Sequence, residues 1–404
     1  MQGDKICATC GQMIPSDTSE CPICANGLGF NLRRETLLLL CFVLLGVLFT
    51  ATGFVVKFYH AHEKALAEEW YQRGEAMLAE NKPQDALTDF RTALFHDEGN
   101  ARYQLRLAQA LVASGHLEEA RTYLTRLWQT DPASGPVNLE LARLAIRRGD
   151  VAQVISYYHN AIDGVWQGAS EQQRRHLRQE LCEYLIEHGR RTEAVAELMA
   201  LSSETPDDPS LRTQVGDLFL KAQDYDSALK EFRRSLNLDR KQAAAWAGAG
   251  KAAFEMANYR AARIYLTRAL DLDPKDADSA RMLEMTDRVL EIDPFDRFVS
   301  TQVRRRRVIF AFQHALTRME ACAQTHGEDL SIAPPQTELQ KLYASALKMK
   351  PEMREQILRR NPDLIDSAMA LVFQTEQVVA RQCGPPHGID QALLLIAQKN
   401  GVPN

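Results

Sequence analysis

The sequence predicts an all-α fold: a stack of helix pairs, preceded by a small cysteine-rich module and one membrane-spanning helix, and followed by a small helical domain. Three observations predict it. Residues 67–276 repeat with a period close to 34 residues, which is typical of a helical repeat array. An uncharged apolar run occupies Thr36–Val56. Four of the eight cysteines fall within the first 24 residues.

Composition sets broad limits on the function. The chain has 404 residues, a formal net charge of -5 and 25% charged residues, so its average composition is that of an ordinary globular protein. Its length is enough for two or three domains. Since the chain has no strongly basic region, nucleic acid is not expected as a partner.

The N-terminal cysteines form two C-x-x-C pairs, "CATC" at Cys7 and Cys10 and "CPIC" at Cys21 and Cys24. Four thiolates suit a closed tetrahedral Zn²⁺ site, with no open position for a catalytic water. Because so short a segment has no hydrophobic core, metal binding would supply its folding free energy. Two disulfides, or reduced thiols without metal, are the alternatives.

The same stretch, "CATCGQMIP" followed by "CPIC", resembles the small zinc-ribbon modules found at the N-termini of many bacterial membrane proteins. The resemblance implies a zinc ribbon over residues 1–30. It also implies a structural zinc ion as the cofactor, bound by Cys7, Cys10, Cys21 and Cys24.

The apolar run Thr36–Val56 predicts a transmembrane helix over residues 36–56, since about 20 apolar residues cross the ~30 Å hydrocarbon core. A module precedes the run, so we expect an uncleaved anchor and not a signal peptide. Flanking positive charges are nearly balanced, and therefore fix no orientation. Thiolate ligands favour a reducing compartment. We therefore expect a single-pass protein of the bacterial inner membrane with a cytoplasmic N-terminus and an extracytoplasmic repeat region.

Six copies of the repeat are expected within residues 67–276, at 67–100, 101–134, 135–168, 175–208, 209–242 and 243–276. The first copy carries Trp70, Gly74, Ala86, Phe90 and Ala93. These positions resemble the tetratricopeptide repeat (TPR), whose pattern is W-x2-L-G-x2-Y, then A-x3-F-x2-A, then Pro. Each copy would be a helix pair that buries its apolar face only by stacking on its neighbours.

Two details of the array can be predicted. The small residue of the first helix, as in Gly74 and Gly216, would allow close approach of the second helix at Ala86 and Ala228. Six additional residues around "GASEQQ" separate the third copy from the fourth and predict a longer loop or helix end.

The resemblance also implies a groove, lined by the first helix of each copy, that binds an extended or helical peptide. The candidate partner-binding residues at two groove-facing repeat positions are Tyr71, Glu75, Leu105, Gln109, Leu139, Arg143, Asp217 and Lys251. The family's chaperone-binding members hold a carboxylate with Lys and Asn at fixed positions. The repeat position that holds Glu75, Gln109 and Arg143 has no Asn in any copy, so chaperone binding is not expected. A solvated groove without a ligand is the alternative.

Residues 277–296 predict a capping helix, and residues 297–404 a helical C-terminal domain. Apolar residues recur at helical spacing in Val308–Cys322, Leu339–Leu347, Ile365–Val379 and Ile389–Ala397.

Two features of this region leave alternatives open. The run of four arginines at 304–307 is either a solvated helix start or a contact for an anionic partner. Cys322 and Cys383 are either a disulfide, which would form outside a reducing compartment, or buried free thiols.

The sequence contains no G-x-S-x-G, P-loop, H-E-x-x-H or G-x-G-x-x-G motif, so an enzyme is not expected. The function predicted is a membrane-anchored scaffold or adaptor that binds protein or peptide partners and organises a complex. The alternative is a regulator or enzyme accessory protein with its activity in the C-terminal helical domain.

Overall fold

The computed structural model describes residues 5–166, 168 and 171–401, and for residues 26–35 it describes the helical backbone alone. The predicted all-α class is confirmed, because two short strands are the only extended elements in these ranges. The chain divides into two compact units, Met1–Gln167 and Gly168–Asn404. The predicted "GASEQQ" insertion falls at this division, and its Ala169 and Ser170 lie outside the described residues.

The first unit begins with a hairpin of strands β1 (Lys5–Ile6) and β2 (Met13–Ile14), paired antiparallel. Helix α1 (Pro22–Ala79) follows, and proline is well suited to its first position, where the missing N–H is not needed. The sequence predicted a membrane helix and a repeat helix as separate elements. They are one continuous helix, since residues 57–66 contain no Pro or Gly that would end it.

Three helix pairs complete the first unit. Helix α1 pairs with α2 (Pro83–His96), α3 (Ala101–Ala113) with α4 (Leu117–Thr130), and α5 (Gly135–Arg148) with α6 (Val151–Ile162). Asn100 caps α3 by accepting hydrogen bonds from the backbone N–H groups of Arg102 and Tyr103. The helices bury one core, which includes Ala86, Phe90, Leu107, Leu111 and Leu124 at 0% exposure.

The second unit contains three further pairs and a single helix. They are α7 (Glu171–Glu187) with α8 (Arg191–Glu204), α9 (Pro209–Lys221) with α10 (Tyr225–Leu238), α11 (Ala243–Glu255) with α12 (Tyr259–Leu272), and α13 (Ala277–Ile292). The expected repeat starts at 209 and 243 coincide with the first residues of α9 and α11. The fourth copy starts one turn earlier than expected, at Glu171.

The C-terminal region consists of α14 (Thr301–His326), α15 (Glu338–Met349), a 3-10 turn at Lys350–Glu352, α16 (Glu355–Arg360), α17 (Asp363–Cys383) and α18 (Ile389–Lys399). It shares one apolar core with the last repeat and α13. Tyr259 and Val289 belong to the same buried cluster as Phe312, Met319 and Val372. The predicted capping helix and the predicted C-terminal domain are therefore parts of one packed body.

The glycines of the repeats pack differently from the prediction. A Cβ atom on Gly216 would lie 2.7 Å from the Phe232 ring, and one on Gly248 would lie 2.3 Å from it. The same relation holds in the first copy, where a Cβ on Gly74 would lie 2.7 Å from Phe90. The glycine thus makes room for the large aromatic residue of the second helix, four positions after the expected alanine.

Three of the four arginines at 304–307 make polar contacts within the second unit. Arg304 lies 3.6 Å from Asp366, and Arg306 Nε donates to Glu355 Oε1 at 2.7 Å. Arg307 donates to the backbone oxygen of Asp293 at 2.6 Å. These contacts bind the start of α14 to its neighbours and give the run a structural role.

Candidate partner-binding groove and metal site

An open groove with a volume of about 1120 Å³ lies in the second unit and is lined by residues of α9, α11, α12 and α13. Gly388, just before α18, and Gln391 on α18 also line it. We call it the α11 groove. It contains two of the predicted partner-binding residues, Asp217 and Lys251. Sequence reasoning missed the contributions of α13 and α18, because they lie outside the repeat.

The groove is open because α11 is built from small residues, "AAAWAGAGKAAFE". Ala243, Ala244 and Ala247 line it and present only methyl groups. Phe254, Met282 and Met285 add larger apolar surface. Methionine is flexible and polarizable and adapts to varied partner surfaces. An apolar floor of this kind can accommodate the side chains of a bound peptide.

Charged groups of both signs stand around this floor. Asp217, Lys221 and Lys251 line the groove from α9 and α11, and Arg281 and Arg288 from α13. Although Asp217 reaches solvent, its partial desolvation raises its pKa, while the two lysines oppose that shift. The groove therefore presents charge of both signs beside apolar surface.

Three of the predicted groove residues of the first unit, Glu75, Gln109 and Arg143, belong to one connected set of polar side chains, which we call the ladder. Glu75 pairs with Arg106, which donates to Gln109 Oε1 at 2.7 Å. Gln109 Nε2 and Arg143 Nη1 both donate to Glu140 Oε1, at 2.9 and 2.7 Å. Burial raises the pKa of Glu140, and its bonds to Arg143 and Gln109 oppose that shift. These polar groups largely satisfy one another.

Sequence reasoning missed Arg106 and Glu140. Arg106 lies three residues before Gln109, and Glu140 lies three residues before Arg143, on the same helix in each case. This i, i+3 spacing is the sequence signal that could have identified them.

The three other predicted residues of the first unit lie largely inside the protein. Tyr71 is 5% exposed, and its ring contacts Phe90 and Tyr103 at centroid distances of 5.7 and 4.9 Å. Leu139 is 8% exposed. Leu105 is half-buried against the same core. Their contribution is mainly to packing between helices.

The four N-terminal cysteines converge between the hairpin and the start of α1. The Cys7 and Cys24 sulfurs lie 3.9 Å apart, and those of Cys10 and Cys21 lie 3.6 Å apart. All four sulfurs lie within 4.8 Å of one another. A tetrahedron with Zn–S bonds of about 2.3 Å has edges of roughly 3.8 Å, so the donor set fits zinc.

Cys322 and Cys383 are joined by a disulfide, with 5.7 Å between their Cα atoms. The bond connects the last turns of α14 and α17. His326 lies beside it, with its Nε2 atom 3.1 Å from the backbone oxygen of Gln382.

The sequence of the repeats matches a known family model. The tetratricopeptide repeat model matches residues 77–127 and 219–285, which include parts of α1 to α4 and of α9 to α13. These two segments carry tetratricopeptide repeats. No match to this chain was found among curated proteins.

Several solved structures, including two described as TPR proteins, align with part of the chain at low identity. YrrB, described as a TPR protein with an unusual peptide-binding site, is 18% identical over 48% of this chain and 96% of its own, with a TM-score of 0.36. PilF of Pseudomonas aeruginosa is 14% identical over 55% and 97%, with a TM-score of 0.37. The C-terminal part of a TPR protein from Cytophaga hutchinsonii is 14% identical over 59% and 93%, with a TM-score of 0.42.

Proposed function

We propose that this chain is a membrane-anchored scaffold that binds a protein partner through a peptide segment in the α11 groove. The open groove carries the proposal. TPR arrays use surfaces of this kind for recognition. The mixture of apolar floor and charged side chains fits an extended or helical segment with both apolar and charged residues. The groove would recognise such a segment through its individual side chains.

The ladder of the first unit supports this choice of groove. The side chains of Glu75, Gln109, Glu140 and Arg143 are already engaged with one another or with Arg106. A ligand there would have to replace bonds that the free protein already makes. The α11 groove presents methyl groups, methionines and lysines, and a ligand can cover them without breaking such a ladder.

The anchor in this proposal is the apolar part of α1. Among the described residues, one helix is long and apolar enough to cross a membrane, and its apolar window is 0% buried by the rest of the protein. Its large side chains, such as Leu44 and Phe49, are 63% and 82% exposed. A bilayer would cover this surface.

The cysteines support the orientation that we propose. Zinc thiolates before the anchor suit a reducing compartment, and a disulfide after it suits an oxidising one. We therefore propose a structural zinc site on the cytoplasmic side and the TPR units on the other. The zinc ion would hold the hairpin and the start of α1 together, since this segment has little apolar core of its own.

Site-specific photo-crosslinking in the expressing cells tests the groove. A photoreactive residue replaces Ala247 on the groove floor in one variant, and Ile264 in a control. Ile264 lies on α12 and is 62% exposed. We expect a discrete protein adduct from position 247 and little from position 264.

A charge reversal identifies specific binding. Lys251→Glu in the Ala247 probe variant should reduce the adduct at least tenfold, because the charge of one groove wall changes sign. Equal adducts from both probe positions, or an adduct that is indifferent to Lys251→Glu, would rule out the groove as the binding site.

A further inference from the structure

A cluster of ionisable side chains lies among three helices of the C-terminal region, away from the α11 groove floor and the N-terminal cysteines. His314 comes from α14, Glu376 from α17 and Asp390 from the first turn of α18. Their potential ligand atoms all lie within 4.8 Å of one another. His314 Nε2 lies 2.5 Å from Asp390 Oδ1. One imidazole and two carboxylates therefore converge on one point.

Glu376 is the unusual member of this cluster. Its residue is 1% exposed, and neither carboxylate oxygen has a hydrogen-bond partner. Burial, and then the charge of Asp390, raise the pKa of Glu376 to about 7. A buried carboxylate without partners is unfavourable unless a cation or a proton compensates it. The Glu376 carboxylate therefore has no cation bound to it to compensate its charge.

Arg318 is the fixed cation nearest to the cluster. Its Nε atom lies 2.9 Å from Asp390 Oδ2, on the carboxylate oxygen that His314 does not contact. The contact is an ion pair, since Arg318 Nε makes no hydrogen bond. The carboxylates of Glu376 and Asp390 together with Arg318 carry one net negative charge. With a bound divalent cation, the site would carry one net positive charge. The side chains of Arg318 and His314 are 27% and 24% exposed, so solvent can screen that charge.

We propose that His314 Nε2, Glu376 and Asp390 Oδ1 bind a divalent transition-metal ion, with Zn²⁺ as the best match, and that water completes its coordination. Imidazole together with carboxylate suits zinc, whereas calcium and magnesium take mostly oxygen ligands. The ion would take the place of the hydrogen bond between His314 Nε2 and Asp390 Oδ1. It would also fix α18 against α14 and α17, and α18 lines one end of the α11 groove.

The test uses the full chain in detergent, without reductant, so that Cys322 and Cys383 stay joined. Cys7, Cys10, Cys21 and Cys24 are replaced by serine to remove the N-terminal site. After metal is stripped, calorimetric titration with Zn²⁺ should show one ion bound per chain, and thermal unfolding should shift upward. Glu376→Gln in this background should weaken binding at least roughly tenfold.

Asp366→Asn is the matched control, because Asp366 is an exposed carboxylate on the same helix, α17. It should leave the zinc titration unchanged. Asp390→Asn serves as a second ligand variant, and it decides the question if circular dichroism shows that Glu376→Gln fails to fold.

Co²⁺ provides a separate readout. Nitrogen and oxygen ligands give weak visible bands, without the strong near-ultraviolet absorption of thiolate ligands. The proposal is overturned if the serine background binds no zinc, or if a folded Glu376→Gln or Asp390→Asn chain binds it as tightly as the background does.

Discussion

Arg212 is the buried cation that connects α8, α9 and α10. Its side chain is 9% exposed and pairs with Glu231 at 3.2 Å and Asp207 at 3.0 Å. It also donates to the backbone oxygens of Ser202 and Thr205, at 2.9 and 2.6 Å. Arg212→Ala would leave Glu231 buried with one partner fewer. We expect a loss of about 3–5 kcal/mol in the free energy of unfolding, measured by urea denaturation.

Arg234→Ala is the control for this prediction. Arg234 contacts the same Glu231 at 2.6 Å, but its side chain is 56% exposed. Because the Arg234 end of this pair is solvated, we expect its removal to cost only about 1 kcal/mol. If the two alanine variants were equally stable, burial would not be the reason that Arg212 matters.

Gly216 tests the packing around Phe232. A methyl group at this position would lie 2.7 Å from the ring, in a core that leaves the ring 0% exposed. Gly216→Ala should cost about 1–3 kcal/mol through overpacking, although alanine is the better helix former. Thermal unfolding measures the loss. Gln214→Ala, an exposed change on the same helix, should be nearly neutral, and Phe232→Leu added to Gly216→Ala should recover part of the loss.

At the residue scale, the sequence indicated small positions and groove-facing positions, but it did not predict which side chains they contact. The repeat pattern singled out Gly216 but assigned its close contact to Ala228 instead of Phe232. It pointed to Glu75, Gln109 and Arg143 as exposed groove residues. The contacts of Glu75 with Arg106 and of Gln109 with Glu140 run between helices, and a one-dimensional pattern does not show which side chains of different helices meet.

At the element scale, the period of the repeat predicted the helices closely, because apolar spacing and caps are local signals. It did not predict that α1 is one continuous helix from Pro22 to Ala79. Nor did it predict that α13 and the C-terminal helices share a core with Tyr259. Spacing shows which face of a helix is apolar, but the element that covers this face is decided by tertiary packing.

The disulfide is the covalent connection between α14 and α17. It closes a loop with a sequence separation of 61 residues, and such a closure stabilises a fold by ~4 kcal/mol in the chain-entropy account. Reductant should therefore lower the thermal unfolding midpoint of the natural chain. Cys322→Ser with Cys383→Ser should unfold at that lower midpoint with or without reductant.

Two results would count against this role. One is a midpoint that reductant leaves unchanged in the natural chain. The other is a midpoint that reductant lowers equally in the double serine variant.

At the scale of the whole molecule, one apolar helix separates two kinds of cysteine. The four thiols of residues 7–24 converge as a metal site would require, and the two cysteines of the C-terminal region are already bonded. Free thiolate ligands suit a reducing compartment, whereas a disulfide suits an oxidising one. The proposed single crossing of a membrane by α1 would account for both, and it would place the TPR units on the side away from the cytoplasm.

Thiol labelling in spheroplasts tests this arrangement, with Cys41 and Cys182 replaced by serine. An impermeant maleimide should label Cys383 only after treatment with an impermeant reductant, because the proposed topology places the disulfide outside the membrane; Cys322 is 3% exposed and should stay unlabelled in the folded chain. Residues 7–24 should react only after detergent and a chelator are added, whereas an impermeant chelator alone should not expose them. Labelling of the N-terminal thiols in intact spheroplasts, with Cys322 and Cys383 protected until lysis, would mean that the chain is inserted in the opposite direction.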